Sequence, residues 1–347
     1  MDTSQDTNRS SAKRPLEPLL EVRNLAVEFH TRAGVVKAVD GVSFSLRESE
    51  TLAVLGESGS GKSVTALAIM GLLPKPAGRI VSGDVLFRGR NLVRSSEAEL
   101  RTMRGARISM IFQDPQSSLN PVLTVGYQIG EVLRHHRSAS RQEAKAAAIE
   151  LMERVRIPDA RRRVNDYPHQ FSGGMRQRVM IAMALALDPE IVVADEPTTA
   201  LDVTVQKQIM GLLKDLQEQH KMGLIFITHD LGVVADTADR LAVMYAGRIV
   251  ETGTIREVYT KPAHPYTLGL MRSVPGVNQR AQYLLPIEGS PPNLLSPPSG
   301  CSFHPRCPFA RERCEHDDPE LREVLPARQS ACHYAEEVLE RVTDKDG

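Results

Sequence analysis

The chain contains 347 residues, of which 41% are hydrophobic, and its 43 Lys and Arg residues balance its 43 Asp and Glu residues. The zero net charge gives no sign of a polycationic nucleic-acid-binding protein, and the length suits one large or two ordinary domains. Because the longest apolar run, residues 179–187, is too short to cross a bilayer and residues 1–18 are polar, we expect a cytoplasmic protein with a disordered N-terminal tail and no signal peptide.

The first predicted elements form an antiparallel β layer. Residues 19–29 alternate apolar and polar side chains, which is typical of a half-buried strand, and apolar runs at 35–38 and 42–46 follow a turn. Phe29 ends the first strand, where an aromatic ring can stack on an adenine. Packing in the core is the alternative interpretation of this side chain.

A phosphate-binding loop follows a predicted buried strand at 51–55. Residues 56–63 read Gly-Glu-Ser-Gly-Ser-Gly-Lys-Ser and fit G-x-x-x-x-G-K-[ST] between that strand and an apolar helix at 64–73. Glycines let backbone N–H groups point at phosphate oxygens, and the helix N-terminus adds a positive dipole. We expect Lys62 to reach the β- and γ-phosphates and Ser63 to bind Mg²⁺. The candidate ATP-binding residues are Phe29, Gly56, Glu57, Ser58, Gly59, Ser60, Gly61, Lys62, Ser63 and Val64.

The middle of the chain predicts one more strand and a helical insertion. A buried strand at 107–112 ends at Gln113, and α/β folds place ligand contacts at the carboxyl ends of strands. Gln113 is therefore a candidate contact to Mg²⁺ or water, with an ordinary loop position as the alternative. Helical periodicity is present at 125–136 and 141–156.

Two acids follow a second buried strand, residues 191–194. At its carboxyl end Asp195 would hold Mg²⁺, and Glu196 would polarise the attacking water as general base. A solvated strand end is the alternative, but a phosphate loop requires a metal-holding acid downstream. A continuous apolar run at 223–228 predicts a central parallel strand, and it ends at His229, a candidate hydrogen-bond donor to the γ-phosphate.

A second glycine-rich segment precedes the acids. Residues 171–178 read Phe-Ser-Gly-Gly-Met-Arg-Gln-Arg, and an apolar helix is predicted directly after them at 179–187. Asp202 is a natural N-cap for a helix predicted at 203–221.

In their order and spacing these motifs resemble the nucleotide-binding subunit of ABC transporters, over residues 19–253. The resemblance implies an α/β fold of the P-loop NTPase class, with a mixed parallel core sheet, an antiparallel β subdomain and a helical subdomain at about 114–188. It also implies ATP hydrolysis with Mg²⁺. The implied residues are Glu196, His229 and Gln113 for catalysis, Ser63, Gln113 and Asp195 for Mg²⁺, Ser172, Gly173, Gly174 and Met175 for the signature motif that binds ATP held by a second subunit, and Asp202 for the D-loop.

Finer features resemble the peptide/nickel importer branch of the family. They include the segments 111–115, 118–121 and 261–267, and the N-terminal pattern looks like the D-type ATPase of dipeptide or oligopeptide systems. This implies a subunit on the cytoplasmic face of the membrane that powers peptide uptake. Its implied partners are an F-type ATPase in a heterodimer, two transmembrane permease subunits and an extracytoplasmic peptide-binding protein. Nickel or another small solute is an alternative cargo, and a soluble ABC-type ATPase acting on a macromolecule is disfavoured by the single cassette.

Prolines punctuate the chain beyond residue 253, which predicts a separate, loop-rich appendage. We place an ATPase domain at 19–259 and a C-terminal domain at 260–347. All four cysteines lie in the latter domain: Cys301, Cys307, Cys314 and Cys332. Their spacing matches neither a zinc ribbon nor a bacterial ferredoxin, but four thiolates suit an iron–sulfur cluster or Zn²⁺. The segment 300–308 resembles the tail of peptide-importer ATPases, which implies a [4Fe-4S] cluster; Zn²⁺ and free structural thiols are the alternatives.

Overall fold

The computed structural model describes residues 17–199, 201–273 and 287–343, so that the predicted tail at 1–18 lies almost wholly outside the described residues. The strands are β1 Leu20–Thr31, β2 Gly34–Leu46, β3 Thr51–Leu55, β4 Gly78–Phe87, β5 Arg90–Asn91, β6 Ile108–Ile111, β7 Ile191–Asp195, β8 Gly223–Thr228, β9 Arg240–Tyr245, β10 Arg248–Thr254, β11 Arg322–Leu325 and β12 Arg328–Ser330. The helices are α1 Lys62–Ile69, α2 Glu97–Met103, α3 Pro115–Ser118, α4 Val125–Arg137, α5 Arg141–Arg154, α6 Ala160–Arg163, α7 Gly173–Leu185, α8 Val203–His220, α9 Leu231–Val234, α10 Ile255–Thr260, α11 Pro265–Arg272, α12 Glu312–His316 and α13 Ala335–Thr343.

The strands form two sheets with the predicted mixture of directions. The smaller sheet is antiparallel in the order β2-β1-β4-β5, and the larger has the order β11-β12-β10-β9-β3-β8-β7-β6. In the larger sheet β3 runs parallel to β8 and β9, and β7 runs parallel to β8 and β6. This is the predicted α/β architecture, with a mixed core sheet and an antiparallel β layer.

The large sheet separates two hydrophobic cores. Along β3, Leu52 and Val54 belong to the core shared with α1 and the small sheet, whereas Ala53 and Leu55 belong to the core shared with α4, α5, α7 and α8. All five residues of β3 and of β7 are buried, as expected for parallel strands covered on both faces. Each fully buried aliphatic side chain contributes about 1.5–3 kcal/mol of hydrophobic free energy. Coverage on both faces therefore holds these strands, and the loops at their ends, in place.

Side-chain caps set the starts of the helices over this sheet. Ser140 and Glu143 form a reciprocal capping box at α5, and Asp202 accepts the N–H of Val205 at α8, as predicted. Helix α1 ends at Ile69, four residues earlier than predicted, because Gly71 has a φ of +63°. None of the helices in the described residues is long and apolar enough to cross a membrane.

The C-terminal segment continues the large sheet. Strand β12 pairs antiparallel with β10, opposing Ser330 to Glu251, and β11 pairs with β12. Phe303 is 2% exposed and belongs to the same core as α7 and α8. The domain boundary at 259/260 stays a prediction, and the proline-rich sequence carried no signal for this strand pairing.

Candidate functional site

The predicted site residues converge where four parallel strands end. The phosphate loop follows β3, and His229 follows β8. Asp195 is the last residue of β7 and Glu196 comes directly after it, while Gln113 is the second residue after the end of β6. Strand β8 lies between β3 and β7, and the side chains of both acids nevertheless reach residues of the phosphate loop. Polar groups from distant parts of the chain thus share one sheet edge.

The phosphate loop is packed tightly against neighbouring backbone. A Cβ atom at Gly56 would lie 2.3 Å from the carbonyl oxygen of Met244, and Gly61, with a φ of +104°, admits no side chain without strain. Lys62 Nζ donates to the carbonyl oxygens of Gly56 and Glu57 at 2.8 and 3.0 Å. Helix α1 begins at Lys62 without a side-chain cap, so its first N–H groups are available to an anion.

Ser63 and Asp195 form the candidate Mg²⁺ pair. Ser63 Oγ donates to Asp195 Oδ1 at 2.9 Å, and both are oxygen ligands of the kind that Mg²⁺ prefers. Burial raises the pKa of Asp195 and lowers the pKa of Lys62, because each charge has lost water. A cation would balance the buried charge of Asp195, and the phosphates of a nucleotide would balance that of Lys62. These residues therefore fit Mg²⁺ and ATP.

Glu196 lies at the centre of the polar groups of the site. Its Oε2 accepts hydrogen bonds from Gln113 Nε2 at 3.0 Å and Thr199 Oγ1 at 2.8 Å, and it lies 3.2 Å from His229 Nδ1. Its Oε1 is 3.9 Å from Lys62 Nζ. The backbone of Glu196 adopts a φ of +44°, which turns the residue out of the strand. These contacts orient the carboxylate of Glu196 in the cleft, where it can accept a proton from a bound water.

These groups line one cleft of about 780 Å³. The predicted residues along its wall are Phe29, Gly56, Glu57, Ser58, Gly59, Gly61, Lys62, Ser63, Val64, Gln113, Glu196 and His229. Phe29 is half-buried and also packs against the core of the small sheet, so both interpretations of this ring apply. Ser60 and Asp195 lie beneath the lining, and each is about 95% buried.

The glycine-rich segment at 172–175 lies apart from this cleft. Ser172 caps α7 by accepting the N–H of Met175, and a Cβ atom at Gly174 would lie 2.6 Å from Val205 Cγ1. None of these residues lines the cleft in the part of the chain that the structure describes.

Sequence patterns missed several contributors to the site. Tyr266 Oη accepts the backbone N–H of Glu57 at 2.9 Å across 209 residues, and Thr199 supports Glu196. Ala38 and Leu270 add to the wall of the cleft. The run His-Pro-Tyr-Thr at 264–267, where α11 begins, was visible as a motif, but nothing local linked it to the phosphate loop.

The four cysteines gather around a second, small cavity. Cys301, Cys307, Cys314 and Cys332 are free thiols that line a space of about 20 Å³, enough for about one water molecule. Burial raises the pKa of Cys307 and of Cys332 to about 12. Among the described residues no group of three or more His, Cys, Asp or Glu side chains is placed to hold a metal ion. The arrangement of these side chains therefore does not show the predicted metal centre.

Two family profiles match the chain. The profile described as ABC transporter matches residues 39–199, which contain the phosphate loop, Gln113, the 172–175 segment and the two acids. The profile described as oligopeptide/dipeptide transporter, C-terminal region, matches residues 250–314.

Similar proteins cover nearly the whole chain. The dipeptide transport ATP-binding protein DppD of Bacillus subtilis is 52% identical over 88% of this chain and 91% of its own length. The oligopeptide transport ATP-binding protein OppD of Salmonella typhimurium is 51% identical over 95% of this chain and 98% of its own length. Among solved structures, the dimeric post-hydrolysis state of the ATP-binding cassette MJ0796 bound to ADP and Pi has a TM-score of 0.61 and 29% identity, over 68% of this chain and 99% of that one.

Proposed function

Because the chain belongs to the ATP-binding subunits of ABC transporters, we propose that it hydrolyses ATP to power the import of dipeptides or oligopeptides. The observation that carries the proposal is the match of both profiles, the ATPase region and the C-terminal region named for oligopeptide and dipeptide transporters, within one chain. Transport by this family couples such an ATPase to membrane permeases.

In the proposed site the chain's own residues position the phosphates and the water. The phosphate loop and Lys62 bind the β- and γ-phosphates. Mg²⁺, held by Ser63, Gln113 and Asp195, would neutralise charge that develops on the phosphate oxygens. Glu196 accepts a proton from the attacking water, and His229 hydrogen-bonds the γ-phosphate from the tip of β8.

We propose that Ser172, Gly173, Gly174 and Met175 contact ATP bound by a second ATPase subunit. Their position outside the chain's own cleft supports this arrangement, as does the dimeric state of the related cassette. The partner in our proposal is an F-type ATPase, and ATP closes the heterodimer because it binds the closed form more tightly than the open form. Asp202, at the start of α8, lies at the same proposed interface.

The remaining proposed partners are two transmembrane permease subunits and an extracytoplasmic peptide-binding protein. The chain would lie on the cytoplasmic face of the membrane as a peripheral subunit. Phe112, which precedes Gln113 in the sequence, and Val122 are exposed apolar residues, and they support a contact between this region and a permease.

Uptake assays in a strain that lacks the gene test the proposed transport. We expect the strain to lose uptake of labelled dipeptides or oligopeptides, and to regain it with the unchanged gene but not with a Lys62→Ala gene, since Lys62 lies in the phosphate loop. Unimpaired peptide uptake together with lost nickel uptake would overturn the proposed cargo and keep the ATPase.

We also propose that Cys301, Cys307, Cys314 and Cys332 hold a [4Fe-4S] cluster, with Zn²⁺ as the alternative. The gathering of four thiols on one cavity supports the proposal, since soft thiolate ligands favour iron–sulfur clusters and Zn²⁺. We expect anaerobically purified protein to contain about four iron and four sulfide per chain, the composition of one such cluster. Replacing Cys314 by Ser should lower this content, and protein free of iron, sulfide and zinc would leave only structural thiols.

A further inference from the structure

Arg306, in the C-terminal segment, forms an ion pair with the phosphate loop. Its Nη1 donates to Glu57 Oε2 at 2.7 Å, and its Nη2 donates to Glu57 Oε1 at 3.0 Å, across 249 residues of sequence. The two parallel bonds form the fork that guanidinium and carboxylate groups make best, and they raise the pKa of Arg306 above its ordinary value.

Arg306 is itself held firmly. Its side chain is 5% exposed, its Nε donates to the carbonyl oxygen of Glu288 at 3.0 Å, and its Nη1 reaches Tyr245 Oη at 3.3 Å. Its guanidinium carbon lies 5.8 Å from the ring centre of Tyr245 and 6.0 Å from that of Phe303. Because the position of Arg306 is set by packing, its guanidinium group can hold the carboxylate of Glu57 in place.

Three contacts converge on Glu57. Tyr266 accepts its N–H, Lys62 donates to its carbonyl oxygen, and Arg306 holds its carboxylate. The rings of Tyr245 and Tyr266 lie 4.6 Å apart, and Phe303 packs against both at 5.2 and 5.4 Å. The second residue of a glycine-rich loop is thereby tied to a packed aromatic cluster.

We propose that Arg306 is a positioning residue of the nucleotide site, so that the C-terminal segment completes the phosphate loop. The inference rests on the proposed nucleotide site but not on the identity of the transported solute. Arg306 acts in two ways. It orders the loop before ATP arrives, and it neutralises a carboxylate that lines the cleft where the phosphates would bind.

We expect the full chain with Arg306→Met to bind ATP and Mg²⁺ with a dissociation constant about tenfold higher. This factor corresponds to the lower end of the range for losing a hydrogen bond between charged groups. Loss of the guanidinium leaves Glu57 as an unpaired anion that repels the phosphates. The double variant Glu57→Gln, Arg306→Met removes that anion, and we expect it to recover about threefold or more of the lost affinity. In turnover assays KM should rise while kcat stays within about twofold, because the lost interaction binds the substrate and the transition state equally.

Arg311 provides a matched control in the same segment. It forms a bidentate pair with Glu337 at 3.0 and 2.6 Å and lies over Tyr334, away from the phosphate loop. Arg311→Met should leave ATP affinity unchanged. Calorimetric titration with ATP and Mg²⁺ gives the dissociation constants, and thermal unfolding of each variant shows whether the fold is retained.

The outcomes separate this proposal from the proposed function. Weakened binding by Arg306→Met with recovery in the double variant supports the positioning role. Equal affinity in Arg306→Met and the unchanged protein, or a double variant no better than the single one, overturns it while the ATPase assignment stands. Absence of ATP binding by the unchanged protein overturns both.

Discussion

Replacement of Glu196 by Gln should leave ATP binding intact and lower ATP hydrolysis about 10²- to 10⁴-fold, the usual contribution of a general base. The amide keeps the size of the carboxylate but cannot take a proton from water. In the structure, Gln113 and Thr199 donate to the same carboxylate oxygen, so these contacts fix the orientation of Glu196. The substitution therefore removes the proton acceptor and leaves the phosphate loop unchanged.

The measurement is steady-state phosphate release by the subunit assembled with its partner ATPase, alongside ATP binding. Glu190→Gln is the matched control, since Glu190 precedes the same strand β7 at its opposite end and pairs there with Arg88 at 2.6 Å. We expect this control to hydrolyse ATP normally. Turnover by Glu196→Gln within tenfold of the unchanged assembly would assign the base to another residue, with His229 the next candidate.

Local sequence signals predicted the elements that carry the site. The run at 223–228 became β8 with the predicted bounds, because a buried parallel strand is a continuous apolar run. The helix placed at 179–187 begins six residues earlier, at Gly173, because Ser172 caps it and polar side chains occupy its first turns. Apolar periodicity alone could not show that start.

Contacts between distant segments had no such signal. Glu57 and Arg306 are each ordinary within their own sequence neighbourhoods, and contacts between distant segments, such as the packing of Phe303 against Tyr245 of β9, bring them together. The three residues of β12 all have polar side chains, so no apolar pattern in the sequence marks them as part of the sheet. In both cases a buried arginine makes the long-range link, and a local pattern cannot show its partner.

The buried pair of Arg328 and Glu251 leads to the second large effect. Arg328 Nη2 donates to Glu251 Oε1 at 2.7 Å, and the two side chains are 1% and 0% exposed. Glu251 also accepts the N–H of Ala263 at 2.7 Å and of His264 at 3.0 Å, while Arg328 donates to the carbonyl oxygen of Lys261. Burial raises the pKa of Glu251, and Arg328 opposes that rise.

Arg328→Met should therefore destabilise the attachment of β12 by about 3–5 kcal/mol, because it leaves an uncompensated buried carboxylate. The N–H of Ala331 donates to the carbonyl oxygen of Val250, and its hydrogen exchange should accelerate roughly 10²- to 10⁴-fold, which is the same free energy expressed as a rate ratio. Arg322→Met is the control, since Arg322 pairs with Glu336 at 2.6 Å on the surface, and such a pair contributes less than about 1 kcal/mol.

The two arginines should differ in their effects on the nucleotide site. Phe303 packs on Tyr245 and Tyr266 without help from β12, so the region around Arg306 keeps its own anchor when Arg328 is replaced. We therefore expect Arg328→Met to lose less ATP affinity than Arg306→Met, although it loses more of the stability of the C-terminal strands. Exchange at Ala331 no faster than in Arg322→Met would contradict the role of the buried pair as the anchor of β12.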